Sequence, residues 1–246
     1  MSAVARVDGR PGRSDREGAD RLKALRGEVC GRETLLRADG GVVEVYPTGT
    51  NARAADELAR FARGIDAGRV LEVGLGVGIS ALALGEAVLL SEDPGAVLLS
   101  VDPATGNYGD AGRLLVEGSP LGPRWRLDAR RSEIALPELT AAGRRFDLAY
   151  IDGAHWFESA LLDIYFAGQL VGPGGWLLVD DTPYPAVALA VEYAKTNLGL
   201  EPGPPMGGGL AALRAPEPSF PVKRAWDHFE PFGGVVERGE RAGADA

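Results

Sequence analysis

The sequence predicts an α/β fold built on a doubly wound, mostly parallel sheet with helices on both faces, and three observations carry the prediction. From Val70 onward, strand-length apolar runs alternate with segments of helical period. The first of these runs enters a turn with glycines at alternate positions, Gly74, Gly76 and Gly78. Later runs each end in an acidic residue: Asp102, Asp152 and the Asp180-Asp181 pair.

The elements follow in order. Residues 1–18 hold Gly, Arg, Asp and Ser with few bulky apolar groups and read as a disordered tail. A short helix can begin over 20–26, Val42 to Tyr46 reads as a short strand, and Pro47-Thr-Gly-Thr-Asn51 is a turn that can cap a helix over 52–63. The alternation then predicts strands at 70–73, 97–101, 124–127, 146–151 and 175–179. Helices are predicted at 79–90, 109–117, 133–141, 157–170 and 184–198. Gly199 to Gly209 is rich in Gly and Pro, and residues 208–214 form a plausible last strand. One domain over 19–214 is expected, followed by a segment, 215–246, whose Trp226, His228, Phe229 and Phe232 can either cover a pocket or pack on the domain.

Composition narrows the function classes. At 246 residues with 45% hydrophobic content, one domain has ample material for a core. Cys30 is the single cysteine, so an intramolecular disulfide and a CxxC zinc site are excluded and a reducing, cytoplasmic setting is expected. No run of 18 apolar residues occurs and no signal-peptide core is evident, so no membrane partner is expected. With 26 basic and 35 acidic residues the chain carries a formal charge of −9, which repels a phosphate backbone. The densest basic group, Arg124, Arg126, Arg130 and Arg131, is interrupted by Trp125 and Asp128, and nucleic acid is not an expected partner.

The turn at 74–78 suits a nucleoside, because three glycines let a ligand lie directly on backbone amides. A dinucleotide fingerprint needs its third glycine at position 79, where this chain has Ile79. Asp102 follows the next strand near the offset at which a carboxylate meets ribose hydroxyls. In a doubly wound sheet the carboxyl ends of the strands line one crevice, so Asp152, Asp180 and Asp181 should face the same site, where a divalent cation such as Mg²⁺ would offset their repulsion. His155, three residues after Asp152, is the candidate catalytic base, with His228 a weaker one.

With these residues in place the chain resembles the class I S-adenosylmethionine-dependent methyltransferases, and within them the small metal-dependent O-methyltransferases, over about residues 45–214. Glu72-Val-Gly-Leu-Gly-Val-Gly78 looks like the family's first motif. The resemblance implies cofactor contacts from Glu72, Gly74, Gly76, Gly78, Ser80, Asp102, Ser132 and Asp152, and Mg²⁺ binding by Asp152, Asp180 and Asp181. The most specific parts are Phe146-Asp-Leu-Ala-Tyr-Ile-Asp-Gly-Ala-His155 and Gly172-Pro-Gly-Gly-Trp-Leu-Leu-Val-Asp-Asp181. Catechol-type relatives place Lys where this chain has His155 and Asn where it has Asp181, which favours the branch acting on antibiotic sugars.

A Rossmann-like seven-stranded sheet with a reversed final hairpin is implied, together with methyl transfer to a small-molecule hydroxyl, His155 taking the proton. A homo-oligomer is a family-level expectation. The competing readings are a metal-independent methyltransferase, an NAD(P)-linked oxidoreductase, and a nucleoside-binding module without catalysis. The oxidoreductase reading lacks both the glycine at 79 and a Tyr-x-x-x-Lys pair.

Overall fold

The computed structural model describes residues 12–222, 225 and 228–232. Trp226 and the last ten residues lie outside the described residues. The chain opens with α1 (Arg13–Cys30), a β1–β2 hairpin (Thr34–Leu36 and Val42–Glu44) and α2 (Ala52–Gly64), which Asn51 caps by accepting from the Ala54 amide at 2.9 Å. Alternation then sets in with β3 (Arg69–Val73), α3 (Ile79–Leu90), β4 (Val97–Val101), α4 (Ala111–Glu117), β5 (Trp125–Asp128) and α5 (Ser132–Ala141). It continues through β6 (Leu148–Ile151), α6 (Phe157–Val171), β7 (Trp176–Val179), α7 (Pro185–Tyr193), β8 (Glu201–Pro202) and β9 (Ala211–Arg214).

β3 to β9 form one seven-stranded sheet in the order β5-β4-β3-β6-β7-β9-β8, with β9 antiparallel to both of its neighbours and the rest parallel. Alternating side chains of each central strand feed two cores. Val70 and Leu98 pack with Leu22, Leu58 and Leu82 of α1, α2 and α3. Leu71 and Ile151 pack with Leu136, Ile164 and Val187 of α5, α6 and α7. Helices therefore cover both faces, and chain order departs in two directions from β3, the switch point at which such sheets hold ligands.

Several boundaries differ from the sequence reading. The helix expected from residue 20 begins at Arg13, so residues 13–18, read as tail, are helical. The stretch has little apolar material of its own, and tertiary contact supplies what its composition lacks: Leu22 and Val29 of the same helix are buried against the sheet-facing layer. The hairpin partner β1 and the two-residue β8 carry too few residues for a periodicity to show. The helix after 184 changes at Ala194 to a π-helical turn reaching Leu198.

Of the C-terminal segment, Glu230 and Phe232 pack on the domain. Phe232 stacks on Phe157 and meets Tyr193 edge-on, and the Glu230 amide donates to Asn197 Oδ1 at 2.9 Å.

One charge is sunk between the first three helices. Arg26, 4% exposed, donates to Glu86 Oε1 through Nε at 3.1 Å and Nη2 at 3.0 Å, and its Nη1 reaches Asp56 at 2.7 Å. Removing Arg26 leaves the buried Glu86 only the more exposed and more distant Arg63, at 3.4 Å. Arg26→Met is expected to lower the unfolding free energy by about 3–5 kcal/mol in urea titration, and Glu86→Met added to it should recover part of the loss. An unchanged midpoint in the single variant would contradict this role.

Candidate active site

Strand register builds the site. Val101, Val73, Ile151 and Val179 are cross-strand partners in the four adjacent strands β4, β3, β6 and β7. The next residues, Asp102, Gly74, Asp152 and Asp180, consequently stand in one row at the carboxyl edge. The preceding row is Ser100, Glu72, Tyr150 and Leu178. Side chains of these two rows share a face.

Gly74 has φ +91°, and a Cβ there would stand 1.9 Å from the Asp152 carbonyl oxygen, so the position admits only glycine. Gly78, φ +87°, starts α3. Asp102 holds the turn between them: its Oδ2 accepts from the Leu75 amide at 2.8 Å and the Gly76 amide at 3.0 Å, and its Oδ1 from the Ala104 amide at 2.6 Å.

Above this edge lies a cavity of about 700 Å³. It is lined by Gly74, Gly76 and Ser80 of the turn, by Asp102, by Ser132 at the start of α5, and by Asp152, His155, Asp180 and Asp181. Most of the expected site residues thus meet in one space.

Glu72 does not reach it. The side chain is fully buried behind the turn, accepting from Ser80 Oγ at 2.7 Å and from Ser100 Oγ, and burial pushes its carboxyl up to about 8. It lies on the face of the strand-end aspartates but two residues deeper in its strand, beneath the turn, so its role is to brace the turn. Gly78 likewise lies behind the cavity wall, against Gly112 of α4. His228 is exposed and outside the wall.

The acidic end is charge-balanced in detail. His155 Nε2 stands 2.7 Å from Asp181 Oδ2 and 3.9 Å from Asp152 Oδ1, with its ring stacked on Tyr184 at 4.9 Å. Asp152 and Asp181 together push His155 up to about 10, so in this arrangement it is a cation at neutral pH and cannot serve as a base.

Asp152, His155 and Asp181 each offer a ligand atom within 4.8 Å of the others, a spacing that fits a divalent cation. Asp180 stands back from this trio. Its Oδ2 accepts from Tyr150 Oη at 2.5 Å and its Oδ1 from the Asp181 amide at 2.8 Å. Asp181 itself has φ +56°, a left-handed conformation that aspartate tolerates and that tends to mark functional turns.

The sequence reading missed three contributors. Tyr150 is fully buried, inside a strand read only as apolar, and its one hydroxyl proton is shared between Asp180 Oδ2 and, at 3.0 Å, Asp152 Oδ2. The turn 46–51, read as a helix cap, also forms cavity wall. Asp163 of α6 lines the cavity as well. Its signal was available, since it is an acid on the buried stripe that includes Ala160, Ile164 and Ala167.

Residues 71–182 match a family model described as a methyltransferase domain. No curated protein matches the chain. Among solved structures, the cofactor-bound Rv0187 from MTB aligns with a TM-score of 0.58 at 20% identity, covering 79% of this chain and 89% of that one. The O-methyltransferase from Bacillus cereus in complex with SAH gives 0.56 at 16%, covering 83% and 92%. The O-methyltransferase TomG from Streptomyces achromogenes, involved in tomaymycin synthesis and in complex with SAM, gives 0.56 at 18%, covering 81% and 90%.

Desolvation pushes Asp152 up to about 6. A carboxyl raised in this way favours the folded state below its unfolded pKa, near 3.9, and loses that contribution as pH rises through about 6. Tyr150 donates to the charged forms, so Tyr150→Phe should cost more at pH 8 than at pH 5. About 1–3 kcal/mol is expected at pH 8 in denaturant titrations. An equal cost at both pH values would contradict the clamp.

Residues 71–182 are thus similar to a methyltransferase domain, and the chain shares its fold with the solved structures it aligns with.

Proposed function

We propose that this protein transfers a methyl group from S-adenosylmethionine to a hydroxyl of a small ring-bearing molecule, such as a natural-product sugar or a phenol, with a divalent cation, Mg²⁺ in the first instance. The observation that carries the reading is that the glycine turn with its Asp102 latch and the Asp152–His155–Asp181 trio open into one cavity. The solved neighbours, described as O-methyltransferases and as SAM- or SAH-bound, support the same donor and acceptor atom.

When bound, the cofactor supplies an electrophilic methyl carbon on a sulfonium, and the cation supplies charge that makes a hydroxyl more acidic. The chain's part is positioning. Gly74 and Gly76 leave their backbone open to a ligand, and the acidic wall favours a positive sulfonium. Asp102 already serves three amides, and its remaining acceptor capacity would meet ribose hydroxyls.

Asp152 and Asp181 would hold the cation. His155 can take a proton at Nε2 only when its two carboxylate partners are engaged elsewhere, so its role as base belongs to the metal-loaded state. Around the mouth, Tyr46, Trp156 and Tyr184 line the cavity and are more than half exposed, which suits an acceptor that stacks a ring. Among the described residues no helix is long and apolar enough to cross a membrane.

One observation favours a second reading. Protonated His155 already neutralises part of the trio, so a metal-independent methyltransferase could use this arrangement as it stands.

The decisive experiment is calorimetric titration with S-adenosylmethionine, with NAD⁺ as control, in Mg²⁺ or in EDTA, on the wild type and Asp181→Ala. Cofactor heat with NAD⁺ silent, and a Mg²⁺ heat lost in the variant, is the expected outcome. Cofactor binding with no Mg²⁺ heat, with or without a diol acceptor, would support the metal-independent reading. An absence of cofactor binding would overturn the methyltransferase proposal.

A further inference from the structure

Strand alternation by itself cannot put Asp180 and Asp181 in the same cavity, because consecutive residues of an extended strand point to opposite faces. Asp180 shares the face of Asp102 and Asp152, and Val179, one residue earlier, is buried in the core that holds Ile151 and Ile164. A regular continuation of β7 would therefore aim Asp181 toward that core and away from the cavity. Asp181 lines the cavity instead, with Oδ2 2.7 Å from His155 Nε2.

The backbone makes the difference. Asp181 has φ +56°, a conformation that costs free energy for a residue with a Cβ and persists only where the surroundings hold it. β7 and β9 pair antiparallel as far as Val179 and Ala211, and two further steps of that register would set Asp181 against Gly209. Asp181 has left the register, and its amide donates to Asp180 Oδ1 at 2.8 Å. Thr182 takes the place opposite Gly209, donating to the Gly209 carbonyl oxygen twice, through its amide at 3.1 Å and its hydroxyl at 2.7 Å. Two residues of one strand thus face one of the other, the arrangement by which a β-bulge re-aims a side chain beside a site.

The carbonyl that Thr182 grips is itself fixed. Gly209 has φ +90° and Gly208 φ +74°, and a Cβ on Gly208 would stand 2.9 Å from the Cα of Ala54 in α2. This segment is therefore pressed between α2 and the turn after β7. On the far side of Asp181, the Tyr184 amide donates to the Asp181 carbonyl at 2.9 Å.

We infer that Thr182 is a positioning residue: its paired bonds to Gly209 hold Asp181 in the left-handed turn, and that turn brings the carboxylate to Asp152 and His155. The inference rests on the reading that Asp152 and Asp181 hold a cation, and it names the residue that keeps the second of them in place. Of the two bonds, the hydroxyl's is the one that a side-chain substitution removes.

The test compares Thr182→Val and Thr182→Ala, which lose the hydroxyl, with Thr182→Ser, which keeps it. Mn²⁺ is the probe, titrated calorimetrically, and S-adenosylhomocysteine titrated in EDTA checks the rest of the cavity. Both hydroxyl-free variants should bind Mn²⁺ about 10-fold more weakly than the wild type, the low end of the loss that follows removal of a group supporting a metal ligand. Thr182→Ser should bind Mn²⁺ within about threefold of the wild type, and all three variants should bind S-adenosylhomocysteine within the same margin. In crystals of Thr182→Val grown in EDTA, Asp181 should leave the left-handed region and its carboxylate should move out of hydrogen-bond reach of His155.

Wild-type Mn²⁺ affinity in the Val and Ala variants would overturn the assignment, as would a Ser variant that binds no better than they do. An equal loss of S-adenosylhomocysteine binding would mark a general loss of structure and overturn it too. So would a metal-free Val structure in which Asp181 keeps its φ and its contact with His155, and this arm decides even if the wild type takes up no Mn²⁺. The absence of Mn²⁺ heat in the wild type would overturn the cation reading itself, a result distinct from any failure of Thr182 to place Asp181.

Discussion

The site rests on one constraint, the in-register ending of four adjacent parallel strands. Parallel pairing fixes Val101, Val73, Ile151 and Val179 side by side, so whatever follows each of them is delivered to the same edge. Three of the four following residues are aspartates and the fourth is the glycine that must be small. Negative charge is thereby concentrated where the backbone is most closely packed, and the surrounding features offset it. Backbone amides serve Asp102 and Asp180, the Tyr150 hydroxyl is shared by Asp152 and Asp180, and the imidazole of His155 stands against Asp181.

The glycine turn depends on the same edge. Gly74 is pressed against the Asp152 carbonyl, so the turn cannot relax away from β6, and Asp102 ties its amides back to β4. Behind it, Glu72 links the turn's Ser80 to Ser100 of the neighbouring strand, and Ser100 in turn accepts from Trp125 Nε1 at 2.8 Å. A cofactor would meet a backbone held from three sides before it binds, which reduces the ordering cost of binding.

Much of this was legible in the residues. The alternation from Val70 and the strand-end aspartates fixed the α/β class and brought Asp102, Asp152, Asp180, Asp181 and His155 to one crevice. What periodicity could not supply was the partner of a polar side chain inside an apolar run. Glu72 and Tyr150 are register partners on the central strands, and both read as simple members of their runs. One turns out to brace the turn from behind, and the other to clamp two carboxylates. Nor does the sequence separate Asp180 from Asp181: their neighbouring positions suggested equivalent ligands, whereas a left-handed backbone at Asp181 turns the second away from the first and toward His155. Asp163 was legible in principle, being an acid where α6 needs an apolar residue.

The functional reading comes down to what balances the trio of Asp152, His155 and Asp181. A proton on His155 and a divalent cation would compete for the same two carboxylates, so binding the cation should release the imidazole from its charged state. The most direct measurement is an NMR titration of the His155 ring in EDTA and in saturating Mg²⁺, assigned with His155→Gln. The predicted result is a ring that stays protonated to about pH 10 without metal and loses its proton at lower pH with it. A ring that titrates near its ordinary value in both conditions would contradict the charge balance described for this site.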